Sequence, residues 1–181
     1  MLTNMQNIAM ERTGLPAFLS VDEEGGTVAR VAANEAFGVT NVGNMSDIGA
    51  AGDAQKAYDA GVTIGTYLKQ LGFNVDYAPV ADVLTNPGNT AIGTRSFGSD
   101  ASMVADMVIK ELEGLSSQGV FGAVKHFPGQ GGVSGDSHDG AVTLDKSLEE
   151  LMQTELVPFQ KALENGVSFV MVGHISVPQI V

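Results

Sequence analysis

One short segment, KHFPGQGGVSGDSHDG at residues 125–140, holds the densest group of side chains that could transfer protons. It combines a lysine, two histidines and two aspartates with a glycine content that no ordinary helix or strand would have. Asp136 precedes His138 by two residues, so its carboxylate could orient the imidazole and stabilise the protonated ring. Because histidine titrates near neutral pH, His138 could donate and retrieve a proton in one cycle. For an isolated Asp-x-His pair, two polar residues on a surface loop are the simpler interpretation.

Lys125 and His126 stand at the start of the same segment. Consecutive side chains on an extended strand point to opposite faces, so both could contact one ligand only if the backbone leaves extended geometry there. We therefore hypothesise an unusual, cis peptide bond between them.

Three further residues could bind a hydroxyl-rich ligand. In VDEEGGTVAR, Asp22 could accept hydrogen bonds from sugar hydroxyls and Arg30 could donate to them. An Asp22–Arg30 ion pair that holds the loop is an equally good interpretation. Arg95 also has two interpretations: it could donate hydrogen bonds to a ligand, or it could hold its own loop together.

The elements that would position these residues alternate along the chain. Near-continuous apolar runs at 16–22, 74–83, 119–127 and 167–175 are typical of strands buried on both faces of a parallel sheet. Helical patterns separate them, at 53–71, at 99–119 and from Ser147 onward, which predicts a parallel α/β fold. Polar residues stand at or just past the carboxyl ends of the predicted strands: Asp22, Asp82, Lys125, His126 and His174. Ligand sites of (β/α)8 barrels and of open doubly wound sheets lie at that end.

Composition excludes several classes of partner. The 181 residues carry a net charge of −12, with 9 basic and 21 acidic side chains, and show no basic cluster for nucleic acid or an anionic membrane surface. The absence of cysteine excludes disulfides and thiolate metal sites. No run approaches the roughly 20 apolar residues of a membrane span. We expect one domain over residues 1–181, and the compartment stays open between cytoplasmic and secreted.

The motif KHFPGQGGVSGDSH resembles the signature of the β-N-acetylglucosaminidase branch of family 3 glycoside hydrolases, approximately K-H-F-P-G-x-G-x-x-x-x-D-[ST]-H. DEEGGTVAR, DYAPVADV and GTRSFGSD resemble the same family in the same order, so the resemblance spans essentially the whole chain. It implies a (β/α)8 barrel that removes terminal N-acetylglucosamine with retention of configuration. The β-glucosidase branches lack the D-S-H loop. Gln130 stands where many relatives carry histidine, a departure that the role of His138 does not depend on.

The resemblance also implies a role for each candidate residue. His138 would be the general acid/base and Asp136 its partner, while the sugar would be held by Asp22, Arg30, Arg95, Lys125 and His126. No cofactor and no metal are expected. A histidine acid is unusual, since retaining glycosidases usually employ two carboxyl groups. It avoids a second negative charge beside the nucleophile.

The nucleophilic aspartate is implied to lie beyond Val181, and the first barrel strands before Met1. We therefore expect a truncated catalytic domain with about four parallel strands of the barrel, inactive by itself, whose exposed sheet edges could lead to homo-oligomers. Asp82 and Asp139 are poor substitutes for the nucleophile, because Asp82 belongs to the structural APVADV segment and Asp139 adjoins the acid/base.

The leading hypothesis is part of a retaining exo-β-N-acetylglucosaminidase that acts on peptidoglycan fragments or chitooligosaccharides, by hydrolysis or by phosphorolysis. The alternatives are a non-catalytic sugar-binding fragment and a β-glucosidase-type family 3 hydrolase. A metal-dependent hydrolase that uses His126, Asp136 and His138 is a further alternative, although no second histidine pair supports it.

Overall fold

The computed structural model describes residues 2–134, 140 and 142–180, and has the alternating α/β order predicted from the sequence. The helices are α1 Leu2–Thr13, α2 Met45–Ala50, α3 Ala54–Leu71, α4 Ala101–Ser117, α5 Leu148–Gln153 and α6 Val157–Glu164. The strands are β1 Ser20–Val21, β2 Glu23–Gly25, β3 Val28–Ala29, β4 Val75–Asp76, β5 Phe121–Phe127, β6 Val142–Thr143, β7 Phe169–Val172 and β8 Ile175–Ser176.

A parallel sheet of four strands, in the order β1-β4-β5-β7, is the centre of the fold. Each of its strands lies within one of the four predicted apolar runs. Because every neighbouring pair is parallel, all the carboxyl ends lie at the same edge. The predicted fold class, part of a parallel α/β barrel with about four strands, is confirmed.

The helix boundaries follow local signals in the sequence. Asp53 caps α3 by accepting a hydrogen bond from the backbone N–H of Gln55, and Gly72 ends the helix in the left-handed conformation, with φ of 96°. Ser147 and Glu150 form a capping box at the start of α5, where the helical pattern of the sequence begins. Pro158 lies in the first turn of a separate helix, α6, where its missing N–H costs no hydrogen bond.

Helices α3 and α4 pack against each other through glycines. A Cβ atom on Gly61 would lie 2.3 Å from the carbonyl oxygen of Glu111, and one on Gly114 would lie 2.3 Å from that of Tyr58. The two backbones therefore approach more closely than any side chain would allow. This contact fixes α4, which carries the buried Glu111, against α3.

The sequence did not predict the β2–β3 hairpin, helix α2 or the pair of strands β6 and β8. Strands β2 and β3 form an antiparallel hairpin directly after β1, and α2 follows it. Strands β6 and β8 pair in parallel outside the main sheet. A small apolar cluster, separate from the main core, packs around this pair. It contains Val133, Val142, Leu144 and Leu151. None of the helices in the described residues is both long and apolar enough to cross a bilayer.

Candidate active site

A cavity of about 440 Å³ opens at the carboxyl ends of the strands. Sites for small ligands occupy about 300–1,000 Å³. Charged and polar side chains line it: Asp22, Glu24, Arg30, Arg95, Lys125, His126, Gln130 and His174. All five residues predicted to hold a sugar therefore line one cavity, together with groups that can both donate and accept hydrogen bonds.

Lys125 and His126 are joined by a cis peptide bond, so the hypothesis made from the sequence is confirmed. Both side chains line the cavity although the residues are consecutive on β5. The pairing of β5 with β7 shifts register between Lys125 and Phe127. The ammonium group of Lys125 is buried, with its side chain 1% exposed.

Glu24 is the centre of the charged network. Arg95 donates two hydrogen bonds to its carboxylate, one from Nε and one from Nη2, each 2.8 Å long. Nζ of Lys125 lies 2.5 Å from Oε1 of the same carboxylate. Burial by itself would raise the pKa of Glu24, but the hydrogen bond from Arg95 and the charges of Lys125 and Arg95 lower it. The pKa of Arg95 is raised: burial alone would lower it, and the bond to Glu24 outweighs that. The carboxylate keeps both cations fixed beside the cavity.

Asp82 orients His126 from beneath. Its Oδ2 lies 2.7 Å from Nδ1 of His126, and its Oδ1 accepts the backbone N–H groups of His126 and Gln130 at 3.2 and 2.6 Å. On the other side of the ring, Nη2 of Arg95 lies 3.4 Å from Nε2. Since a guanidinium can only donate, this geometry favours the tautomer with the proton on Nδ1 and an accepting Nε2.

Asp22, Arg30 and Arg95 differ in the partners that hold their side chains. Oδ1 of Asp22 accepts from Nζ of Lys125 at 2.7 Å, and the Asp22 side chain stays 39% exposed at the cavity. The ion partner of Asp22 is therefore Lys125, while Arg30 is exposed on the cavity wall and its backbone N–H donates to the carbonyl of Asp22. Arg95 is both a staple and a cavity residue, because it also donates to the carbonyl of Ala91.

Two carboxyl groups are buried behind this network. Asp76 accepts the backbone N–H of Glu23, but its second oxygen and both oxygens of Glu111 have no hydrogen-bond partner among the described residues. Burial raises the pKa of Glu111 to about 8, with repulsion from Glu24 adding to the rise and Lys125 opposing it. Burial, followed by repulsion from Glu111, raises the pKa of Asp76 well above its usual range. Both shifts favour the neutral, protonated forms of the two carboxyl groups, which reduces their competition with Glu24 for the cations.

The predicted dyad, Asp136 and His138, lies outside the described residues, as does Asp139. The segment that leads into it is firmly attached to the loop after β4. The amide of Asn89 donates to the carbonyl of Gln130 at 2.6 Å, and Nδ2 of Asn86 donates to the carbonyl of Val133 at 3.1 Å. Gly131 passes so close to Val83 that a Cβ atom would lie 2.0 Å from its carbonyl oxygen.

Glu24 and Asp82 are the residues that sequence reasoning underestimated. Glu24 stands inside a quoted motif without an assigned role, and Asp82 was interpreted as structural. Two features of the sequence could have indicated them. Asp82 stands at the end of a predicted strand, and Glu24 is close to Asp22 in the sequence. In the part of the chain that the structure describes, no three metal-ligating side chains come together. Two of the three residues in the metal alternative lie outside that part.

A second cavity, of about 490 Å³, lies at the opposite, amino-terminal ends of β5 and β7. Its lining includes Val120, Phe121 and Val167, and Glu113 is its one titratable residue. It offers no group of acids, bases or fixed cations, so the chemistry belongs to the smaller cavity.

Comparison with known proteins gives the family. The model of the glycosyl hydrolase family 3 N-terminal domain matches residues 1–181. The chain belongs to this family. A β-hexosaminidase of Mycobacterium tuberculosis, LpqI, is 40% identical over 164 residues, which are 91% of this chain and 41% of that protein.

Two solved structures of family 3 proteins match the fold closely. A β-N-acetylglucosaminidase from a Paenibacillus species matches with a TM-score of 0.91 and 42% identity, over 99% of this chain and 33% of that one. NagZ from Neisseria gonorrhoeae, solved in complex with N-trifluoroacetyl-D-glucosamine, matches with a TM-score of 0.84 and 32% identity, over 99% and 55%. The family 3 chain described here thus spans less than two thirds of the length of each.

Proposed function

We propose that these 181 residues are the sugar-binding and acid/base part of a retaining exo-β-N-acetylglucosaminidase. The observation that carries the proposal is the cavity at the strand ends, where Glu24 and Asp82 fix Arg95, Lys125 and His126 beside an open Asp22. Such a fixed set of donors and acceptors suits the hydroxyl groups of one sugar ring. The names of the relatives, a β-hexosaminidase and a β-N-acetylglucosaminidase, supply the sugar, an N-acetyl-β-glucosaminide. Its proposed sources are the ends of peptidoglycan fragments or chitooligosaccharides.

In the proposed reaction, His138 with Asp136 protonates the glycosidic oxygen as the bond to the leaving group breaks. An aspartate outside residues 1–181 attacks the anomeric carbon and forms a glycosyl-enzyme, and His138 then takes a proton from the incoming water. Phosphate in place of water would give phosphorolysis. We assign the nucleophile outside these residues because Asp82 is fully buried and both its oxygens already accept hydrogen bonds.

The experiment uses the full reading frame and the substitution His138→Ala. Protonation matters most when the leaving group is poor, so turnover of chitobiose should fall about 10²–10⁴-fold, and turnover of 4-nitrophenyl N-acetylglucosaminide much less. Equal losses on both substrates would overturn the acid/base assignment. Rates with and without phosphate separate hydrolysis from phosphorolysis.

The isolated chain is a candidate for sugar binding without turnover. The observation in favour is that the cations, Asp22 and the oriented His126 are all held by residues within the 181. Calorimetric titration with N-acetylglucosamine should give saturable binding without product. An equal affinity for glucose would favour a β-glucosidase-type specificity instead.

We also propose that copies of the isolated chain associate through β7. This strand is at the end of the main sheet, and Val172 is 68% exposed on it. Exposed strand edges readily pair with another chain. Sedimentation equilibrium should show a dimer whose dissociation is favoured by Val172→Lys, and a strictly monomeric parent chain would contradict it.

A further inference from the structure

Both described ends of the segment between β5 and α5 rest on one buried carboxylate, Glu155. This residue lies between α5 and α6 and is completely inaccessible to solvent. It does not line the cavity at the strand ends. The segment that it supports is the one that contains the predicted acid/base.

The outgoing end of the segment lies directly against the Glu155 side chain. At Gly129, where φ is +127°, an added Cβ atom would lie 2.7 Å from Cβ of Glu155. At Gly132 it would lie 2.9 Å from Oε1 of Glu155 and 2.8 Å from Oγ1 of Thr85. Only glycine permits the backbone to pass this close, so these two glycines set the path of the chain over the carboxylate.

The returning end is bound by charge. Nζ of Lys146 lies 2.5 Å from Oε1 of Glu155, and Oγ1 of Thr85 donates to the same oxygen at 3.0 Å. The hydroxyl of Thr154 donates to the other oxygen, Oε2. One carboxylate thus connects the outgoing turn, the residues that follow β6 and the loop after β4, which itself holds residues 130–134 through Asn86 and Asn89.

A buried ion pair is an inefficient way to gain stability, because the cost of desolvating the charges can equal their attraction. An apolar side chain of similar volume could fill the space under Gly129 equally well. A carboxylate differs in being directional: it fixes hydrogen-bond donors from three chain segments at set distances. The arrangement therefore suits the placement of a segment better than simple filling of the core.

We propose that Glu155 is a positioning residue for the acid/base: it holds both ends of residues 129–146 so that His138 reaches the glycosidic oxygen. This inference rests on the proposed function of His138. It assigns Glu155 no contact with the substrate. Its effect should therefore appear in the protonation step and not in the affinity for the sugar.

The test compares kcat/KM for chitobiose and for 4-nitrophenyl N-acetylglucosaminide in the full reading frame. Glu155→Gln should lower the value for chitobiose at least about tenfold more than the value for the aryl substrate, with the binding of N-acetylglucosamine unchanged. In a His138→Ala background, Glu155→Gln should cause no further loss, because the two residues act in one step. The exposed Glu149→Gln on α5 is the matched control.

A merely structural role predicts equal losses on the two substrates and additive losses in the double variant, and either result would overturn the inference. If Glu155→Gln does not fold, Thr85→Val decides, because it removes one donor to the same oxygen without changing side-chain shape. Thr85→Val should also lower kcat/KM more for chitobiose than for the aryl substrate, but by a smaller factor. Equal losses on the two substrates would count against the proposal. If His138→Ala itself shows no dependence on the leaving group, the proposed function fails first and the inference falls with it.

Discussion

Arg95 binds Glu24 through two parallel hydrogen bonds of 2.8 Å, although 70 residues separate them in the chain. The same carboxylate holds the ammonium group of Lys125. A guanidinium and an ammonium group side by side repel each other, and Glu24 is the charge that makes their proximity stable. The site is therefore built around one carboxylate that binds both cations.

Replacing Glu24 by Gln should destabilise the chain by about 3 kcal/mol at pH 7, because Arg95 loses its counter-charge and the buried Lys125 keeps only that of Asp22. The measurement is urea unfolding of the 181-residue chain, with the exposed Glu35→Gln as control. The pKa of Glu24 is lowered in the folded state, so its stabilisation is complete above the ordinary carboxyl pKa of 4.5 and is lost on acidification below it. A difference between Glu24→Gln and the parent that stays constant down to pH 3 would contradict this.

Asp82→Asn should weaken the binding of N-acetylglucosamine about tenfold, because an amide no longer fixes the His126 ring through a charged hydrogen bond. The measurement is titration of the 181-residue chain, with ¹⁵N NMR to follow the ring nitrogens. In the parent, the proton of neutral His126 should reside on Nδ1, and in the variant the tautomers should mix. The exposed Asp106→Asn is the control, and an unchanged affinity would show that the position of His126 is set by other contacts.

Glu111→Gln should flatten the pH dependence of stability. The folded-state pKa of Glu111 is raised to about 8, so its neutral form stabilises the folded chain fully below the ordinary value of 4.5, and that contribution is lost as pH rises through 8. The free energy of unfolding of the parent should fall between pH 5 and pH 8, and that of Glu111→Gln should fall less, because the amide does not ionise. Urea unfolding at four pH values measures both slopes, with Glu113→Gln on the exposed face of α4 as control. Parallel slopes would mean that Glu111 does not titrate in this range.

The sequence predicted those parts of the fold that depend on neighbouring residues. Asp53 and Gly72 bound α3, and Ser147 with Glu150 begins α5, because a cap needs only the backbone of its own helix. The cis bond before His126 was also predictable, since two adjacent polar residues had to face one ligand.

Contacts between distant residues could not be predicted in the same way. The bond of Arg95 to Glu24 depends on strand order and on the β2–β3 hairpin, which no periodic pattern indicated. Asp82 was interpreted as structural because the family resemblance assigns it to the structural APVADV segment. Its carboxylate does serve the structure, by accepting the N–H of Gln130, and it orients the histidine with its other oxygen.

Gly131→Ala and Gly140→Ala form a matched pair on the glycine-rich segment. A methyl group at Gly131 would lie 2.0 Å from the carbonyl oxygen of Val83, whereas one at Gly140 would meet no heavy atom within 4 Å in the described part of the chain. Backbone cannot move aside as a side chain can, so Gly131→Ala should cost about 2 kcal/mol of stability, and Gly140→Ala should change it by less than about 0.5 kcal/mol. Thermal unfolding of the two variants measures the difference.

The same pair of variants should differ in catalysis. The carbonyl of Gly131 accepts the N–H of Asn86, so the displaced backbone would carry the start of the segment away from the loop after β4. Catalysis on poor leaving groups should therefore fall with Gly131→Ala alone. Equal behaviour of the two alanines would mean that the segment does not depend on this close approach.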